Sequence, residues 1–163
     1  VVDVGCGTGK SLIWLAKRGF TGTGIDASPT AIRLARQNAE QEGVRCQWLQ
    51  GSFPQDFSQE MLRPGTFQLA MERGLLQHFH HDRHGQRQFM QAVARLLAPG
   101  GYWYSLSASS NSNARFVGPP QWSATEIVQA CEPYLEVRLL RESVFTPGEQ
   151  GSIPAWLCVC QKP

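Results

Sequence analysis

The chain lacks any apolar run of the roughly 18–20 residues that a membrane-spanning helix needs, and no positively charged, apolar signal segment opens it. Membrane insertion is therefore not expected. Strong charge is missing too. A formal net charge of +2, with Lys and Arg scattered along the chain, gives no basic stripe of the kind nucleic-acid binders carry. The five cysteines are an odd number without zinc-type spacing, so neither a disulfide framework nor a metal site is expected. Reduced thiols point to a cytoplasmic setting. Cys158 and Cys160 lie two apart in an apolar run, which puts both on one face of a strand. There is no initiator methionine, and the chain opens inside a strand; a natural segment before Val1 is expected.

What is present is the composition of one compact domain, 42% hydrophobic and 17% charged over 163 residues. Val1–Val4 is a β-branched run ending in glycine and reads as a strand entering a tight turn. Apolar residues at helical spacing follow over Lys10–Arg18, and Gly19 stops them. Thr21–Ile25 is a second strand. Ser28 and Pro29 start the next helix as cap and first residue. Further strands are expected at Cys46–Gln50, Phe67–Met71, Tyr102–Ser107, Tyr134–Leu140 and Ala155–Gln161. Helices are expected over Gly85–Leu97 and after the capping box at Ser123–Glu126. Strand and helix alternate, so the fold class is α/β: a mostly parallel sheet with helices on both faces and an antiparallel last pair. Ser107–Trp122, rich in Ser, Asn, Gly and Pro, is the candidate lid.

Gly5, Gly7 and Gly9 fall at the end of the first strand, where glycine permits a tight turn and close backbone approach. Asp26 ends the second strand, where a carboxylate can accept from both ribose hydroxyls. Two residues separate this turn from a dinucleotide fingerprint. The third glycine of that fingerprint would fall at Lys10, and Asp3 sets a carboxylate where a pyrophosphate would be repelled. A ligand with positive charge suits Asp3 better.

The run Asp3-Val4-Gly5-Cys6-Gly7-Thr8-Gly9 closely resembles motif I of class I S-adenosylmethionine-dependent methyltransferases. Gly24–Ser28, Phe67–Phe79 and Pro99-Gly100-Gly101 extend the resemblance over about two-thirds of the chain. It implies a Rossmann-like, seven-stranded sheet in the order 3-2-1-4-5-7-6. It also implies S-adenosylmethionine as cofactor and S-adenosylhomocysteine as product. Carried over by position, Gly5, Cys6, Gly7 and Gly9 would pass along the methionine part, with Asp3 orienting the turn or reaching the amino group. Asp26 would hold the ribose, Ala27 would lie against the adenine, and Ser52 and Phe53 would meet the adenine edge. Ser52 stands where the family often has Asp.

Met71–Phe79 resembles the corresponding segment of small-molecule methyltransferases and lacks the Asn/Asp-Pro-Pro-aromatic motif of amino-methylating DNA enzymes. The implied partner is a small-molecule acceptor. Glu72 follows the fourth strand and is a candidate for cofactor contact or as a base; His78 and His81 are the other candidate bases. Arg73, His78 and Trp122 are candidates for the acceptor pocket, with Trp103 and Trp156 assigned to the core. His80 and His84, four apart, carry at most a weak metal signal. Two other functions are weighed: a non-catalytic S-adenosylmethionine-binding module, and an NAD-type oxidoreductase, which Lys10, Asp3 and the absence of a Tyr-x-x-x-Lys pair disfavour.

Overall fold

The computed structural model describes residues 1–58, 60–111, 120–145 and 152–163, with Phe145 described by its backbone alone. Seven strands form one sheet: β1 (Val2–Val4), β2 (Thr23–Asp26), β3 (Gln47–Gln50), β4 (Phe67–Arg73), β5 (Leu97–Ala108), β6 (Glu136–Phe145) and β7 (Ile153–Gln161). Their order is β3-β2-β1-β4-β5-β7-β6. The first five pair in parallel; β7 runs antiparallel to both β5 and β6. The order and the antiparallel end pair match what the motif I resemblance implies.

Helices α1 (Lys10–Ala16) and α2 (Pro29–Gln41) cross between β1, β2 and β3, while α3 (Arg83–Leu96) and α4 (Ala124–Cys131) serve the other half of the sheet. The chain steps outward from β1 in one direction and from β4 in the other. Right-handed crossovers then place the two helix pairs on opposite faces. Each helix begins on a chemical signal. Ser28 accepts from the Ala31 N–H with Pro29 at the first position. Asp82 accepts from the His84 and Gly85 N–H groups. Ser123 and Glu126 close a reciprocal capping box.

The core has two main parts. Val2, Val4 and Ile25 join Phe89, Val93, Leu96, Trp103 and Ile127 beneath α3 and α4. Leu12, Ile13, Ile32, Ala35 and Trp48 fill the space between α1, α2 and the sheet. Gly9 shows why this second part needs glycine. Its φ is +80°, and a Cβ there would come within 2.5 Å of the Trp48 ring. Any side chain would both strain the backbone and displace the indole.

Several boundaries differ from the sequence reading. The fourth strand continues to Arg73, and the third helix starts at Arg83, two residues before Gly85, because Asp82 is its cap. The fifth strand begins at Leu97, pairing with Phe67 before an irregularity carries the register to Leu69 and Tyr102. The proposed lid is partly strand: Ser107 and Ala108 end β5, Ser109 bridges Trp122, and residues 112–119 lie outside the described residues.

Candidate cofactor and acceptor site

In an open parallel sheet, ligands gather beyond the carboxyl ends of the strands where the strand order reverses. Here that point lies between β1 and β4. The turn after β1 is pinned from below, since the Gly5 and Cys6 N–H groups both donate to the Ile25 carbonyl, at 2.8 and 2.9 Å. Asp26 pins it from the side. Its Oδ2 accepts from the Gly7 N–H at 2.8 Å and its Oδ1 from the Ser28 N–H at 2.9 Å. A carboxylate has about four acceptor positions, so these two bonds orient Asp26 and leave capacity for two further hydroxyl donors.

Two cavities open on this turn. The larger, about 810 Å³, is lined by Gly5, Asp26, Ala27, Ser52, Phe53, Asp56, Arg73 and His78 among others. The smaller, about 270 Å³, is lined by Asp3, Gly5, Cys6, Gly7, Lys10 and Arg73 with Thr8 and Ser11. Gly5 and Arg73 border both. The result is a bent channel over the glycine turn, with Asp3 under one end and Asp26 in the other.

Asp3 is only 3% exposed. Burial, reinforced by the nearby Glu72 and Asp26 carboxylates and opposed by Arg73, raises its pKa to about 7. The site thus holds an acid whose charged form a cationic ligand would favour. Cys6 turns its side chain into the second core region. Burial and the neighbouring carboxylates push its thiol up, so it stays neutral. Cys6 contributes backbone, not a thiolate, to the channel.

Asp56 joins the site through the fold rather than through any motif. Its Oδ2 accepts from the Ser52 N–H at 2.7 Å, which folds the segment after β3 back so that both residues face the larger cavity. The only signal available was an acid four residues after a serine in a polar loop, which ordinary loops also contain.

Glu72 is fully buried and lines neither cavity. Its Oε2 accepts from the Leu75 and Leu76 N–H groups at 2.7 and 3.1 Å, and Oε1 accepts from the Ser105 hydroxyl. Burial raises its pKa; the Ser105 hydroxyl and the backbone N–H groups act against that shift. Strand alternation explains the position. Arg73 points up into the channel while Glu72 points into the sheet and ties down the 3₁₀ turn Leu76–Phe79.

A family model described as "Methyltransferase domain" matches residues 1–101, more than half of the chain. The chain belongs to the class I methyltransferase family. Among curated relatives, the domain is 48% identical over 44 residues to a 2-heptyl-1-hydroxyquinolin-4(1H)-one methyltransferase of Mycobacteroides abscessus, covering 27% of this chain and 19% of that protein. It is 27% identical over 114 residues to a ubiquinone biosynthesis O-methyltransferase of Pectobacterium carotovorum, covering 70% of this chain and 45% of that protein. The domain thus spans less than half the length of either. Solved structures share the fold. A SAM-dependent methyltransferase of Methanosarcina mazei superposes with a TM-score of 0.84 at 20% identity, covering 99% of this chain and 91% of that one. A 1,6-didemethyltoxoflavin-N1-methyltransferase of Burkholderia thailandensis, solved with bound 1,6-didemethyltoxoflavin and S-adenosylhomocysteine, gives a TM-score of 0.75 at 16% identity, covering 99% of this chain and 69% of that one.

In this methyltransferase domain, His78 lines the larger cavity with Leu75 and Phe79. His81 does not; it is exposed, and its ring meets His80 edge to face at 4.6 Å. Trp122 corrects the sequence reading. It is 1% exposed and lies in the core, its ring meeting His80 edge to face at 5.0 Å. Its N–H donates to the Ala108 carbonyl, and its own carbonyl accepts from Ser110 and from the Trp156 indole at 3.0 Å. The chain returns to the end of β5 there, which proximity to Pro119-Pro120 could not reveal. Among the described residues, none of the histidines joins a group with metal-ligand spacing, whereas Cys131, Cys158 and Cys160 do.

Proposed function

We propose that this domain binds S-adenosylmethionine along the bent channel and transfers its methyl group to a small-molecule acceptor. One observation carries the reading: the two cavities meet at Gly5 and Arg73, with a buried acid at one end and a tethered ribose-type acid at the other. The cofactor has the matching charges. Its ammonium suits Asp3, and its carboxylate suits Lys10 and Arg73 at the mouth of the smaller cavity. The ribose hydroxyls suit the free acceptor positions of Asp26. The adenine suits the slot between Ala27 and Phe53, where Asp56 supplies the carboxylate that Ser52 does not, as acceptor for the exocyclic amino group. A pyrophosphate would meet Asp3 with the wrong sign, which is why the dinucleotide reading is set aside.

Methyl transfer is an in-line displacement in which the cofactor carries the leaving group. The domain's part is to align the acceptor and exclude water. Leu75, His78 and Phe79 line the larger cavity, and they are assigned to the acceptor. Of the three groups weighed as a base, His78 alone lines the cavity, so an acceptor that must lose a proton would lose it there. The names of both curated relatives, a quinolone and a ubiquinone-pathway enzyme, support a small organic acceptor. No helix among the described residues is long and apolar enough to cross a membrane. The five unpaired cysteines favour the cytoplasm.

The test is turnover. Release of S-adenosylhomocysteine with aromatic hydroxyl or amine acceptors supports the reading. Binding of S-adenosylmethionine without turnover across a broad acceptor set would favour the non-catalytic module instead.

A further inference from the structure

Outside the channel, three cysteines converge. Cys131 ends α4, while Cys158 and Cys160 sit two apart on β7 and face the same way. All three are fully buried. Their sulfurs lie within 4.8 Å of one another, with Cys158 and Cys160 at 3.6 Å. None lines either cavity of the cofactor channel.

The spacing has a meaning. Three sulfurs each about 2.3 Å from a common centre, the length of a zinc–thiolate bond, stand at most about 4 Å apart. The cluster is close to that arrangement without a ligand. A disulfide between Cys158 and Cys160 fits less well. Residues two apart on a strand have Cα atoms about 6.6 Å apart, near the outer limit for a disulfide.

Charge then selects the ligand. The surroundings are apolar, with Ile127, Ala130, Leu135 and Trp103 in the same core region, and the Glu132 carboxylate adds negative potential at Cys160. Three thiolates around a monovalent or divalent ion would leave net negative charge in that core, which burial penalises heavily. Structural zinc also wants a fourth ligand, and among the described residues the group has three members. A trivalent centre with three thiolates is neutral and needs no more.

We propose that Cys131, Cys158 and Cys160 form a three-coordinate site for a trivalent thiophilic element of the arsenic(III) class. Binding is a condensation. Arsenous acid exchanges three As–O bonds for three As–S bonds, and each leaving hydroxide takes one thiol proton, so three waters form. There is no redox change and no net proton release. The complex staples the end of α4 to β7. Because the sulfurs are buried, loading requires α4 to lift locally and is slow. The site is independent of the methyl-transfer reading.

The test uses the intact chain, reduced with a phosphine and incubated with arsenite. Native mass spectrometry should show one added arsenic less three hydrogens, and arsenic-edge absorption should show three sulfur neighbours at about 2.3 Å. The melting temperature should rise. Replacing Cys131, Cys158 or Cys160 singly by Ala should weaken binding more than about 100-fold, whereas Cys46→Ala should leave it unchanged. Where a variant fails to fold, the wild-type absorption spectrum decides alone. No adduct in the folded chain, an adduct with two sulfurs, arsenic on Cys6 or Cys46, or oxidation to a disulfide in preference to arsenite binding would each overturn the proposal.

Discussion

Asp3 couples the site to pH in two opposite ways. A carboxyl whose folded pKa is raised from 3.8 to about 7 favours folding while protonated, below its unfolded value. That contribution, roughly 4 kcal/mol from the size of the shift, is lost as pH rises through the folded value. Asp3→Asn should therefore raise the melting temperature near pH 8 and change it little near pH 4. Cofactor binding should move the other way. Wild-type affinity for S-adenosylmethionine should fall toward tenfold per pH unit below about 7, where Asp3 is neutral, and the Asn variant should bind weakly at every pH. Calorimetry across pH checks both, and a pH-independent wild-type affinity would count against the assignment. Asp56 makes a separate prediction: Asp56→Ala should weaken binding of S-adenosylmethionine about tenfold, in line with one charge-assisted hydrogen bond, more than it weakens a cofactor analogue lacking the exocyclic amino group. Asp3 and Asp26 were legible as channel-lining candidates, because motif I and the spacing to the second strand place them within β1 and at the end of β2. Asp56 was not, because only the folded loop brings it beside Ser52.

The buried Glu72 side chain ties down the start of the 3₁₀ turn after β4. Removing the Glu72 carboxylate strands the Leu75 and Leu76 N–H groups, leaves the Ser105 hydroxyl only its longer contact with Ser107, and opens a void. Glu72→Ala should lower unfolding free energy by about 2–4 kcal/mol, measured by urea denaturation; a loss under about 0.5 kcal/mol would contradict the role. Element by element, the sequence was most informative where chemistry marks an end. The Ser28–Pro29 start and the Ser123–Glu126 box are both present. It was least informative where long-range pairing sets the limit. Strand β4 runs two residues past Met71 because β5 continues to pair with it through Leu106, and no local pattern at Glu72-Arg73 announces that partner.

At the scale of the whole molecule, the strand order was implied by motif I, whose resemblance fixes topology before any packing is known. The tryptophans show the limit of that inference. Trp103 and Trp156 sit in strands and were assigned correctly to the core, but Trp122 follows a proline-rich stretch and joins the core only because the chain folds back onto Ser109. Trp122→Ala should cost about 3–5 kcal/mol in stability, where a pocket residue would chiefly alter acceptor KM; thermal unfolding of the variant distinguishes the two.

The fold, the glycine turn and the paired acids converge on one claim, that the channel joined at Gly5 and Arg73 is built for S-adenosylmethionine. Isothermal calorimetry of the wild-type chain and of Asp26→Ala, each titrated with S-adenosylmethionine and with NAD, tests it most directly. The account predicts a single S-adenosylmethionine site in the wild type, affinity weakened more than about tenfold in Asp26→Ala, and no heat from NAD. Failure of the wild type to bind S-adenosylmethionine at millimolar concentration, or tighter binding of NAD, would contradict it.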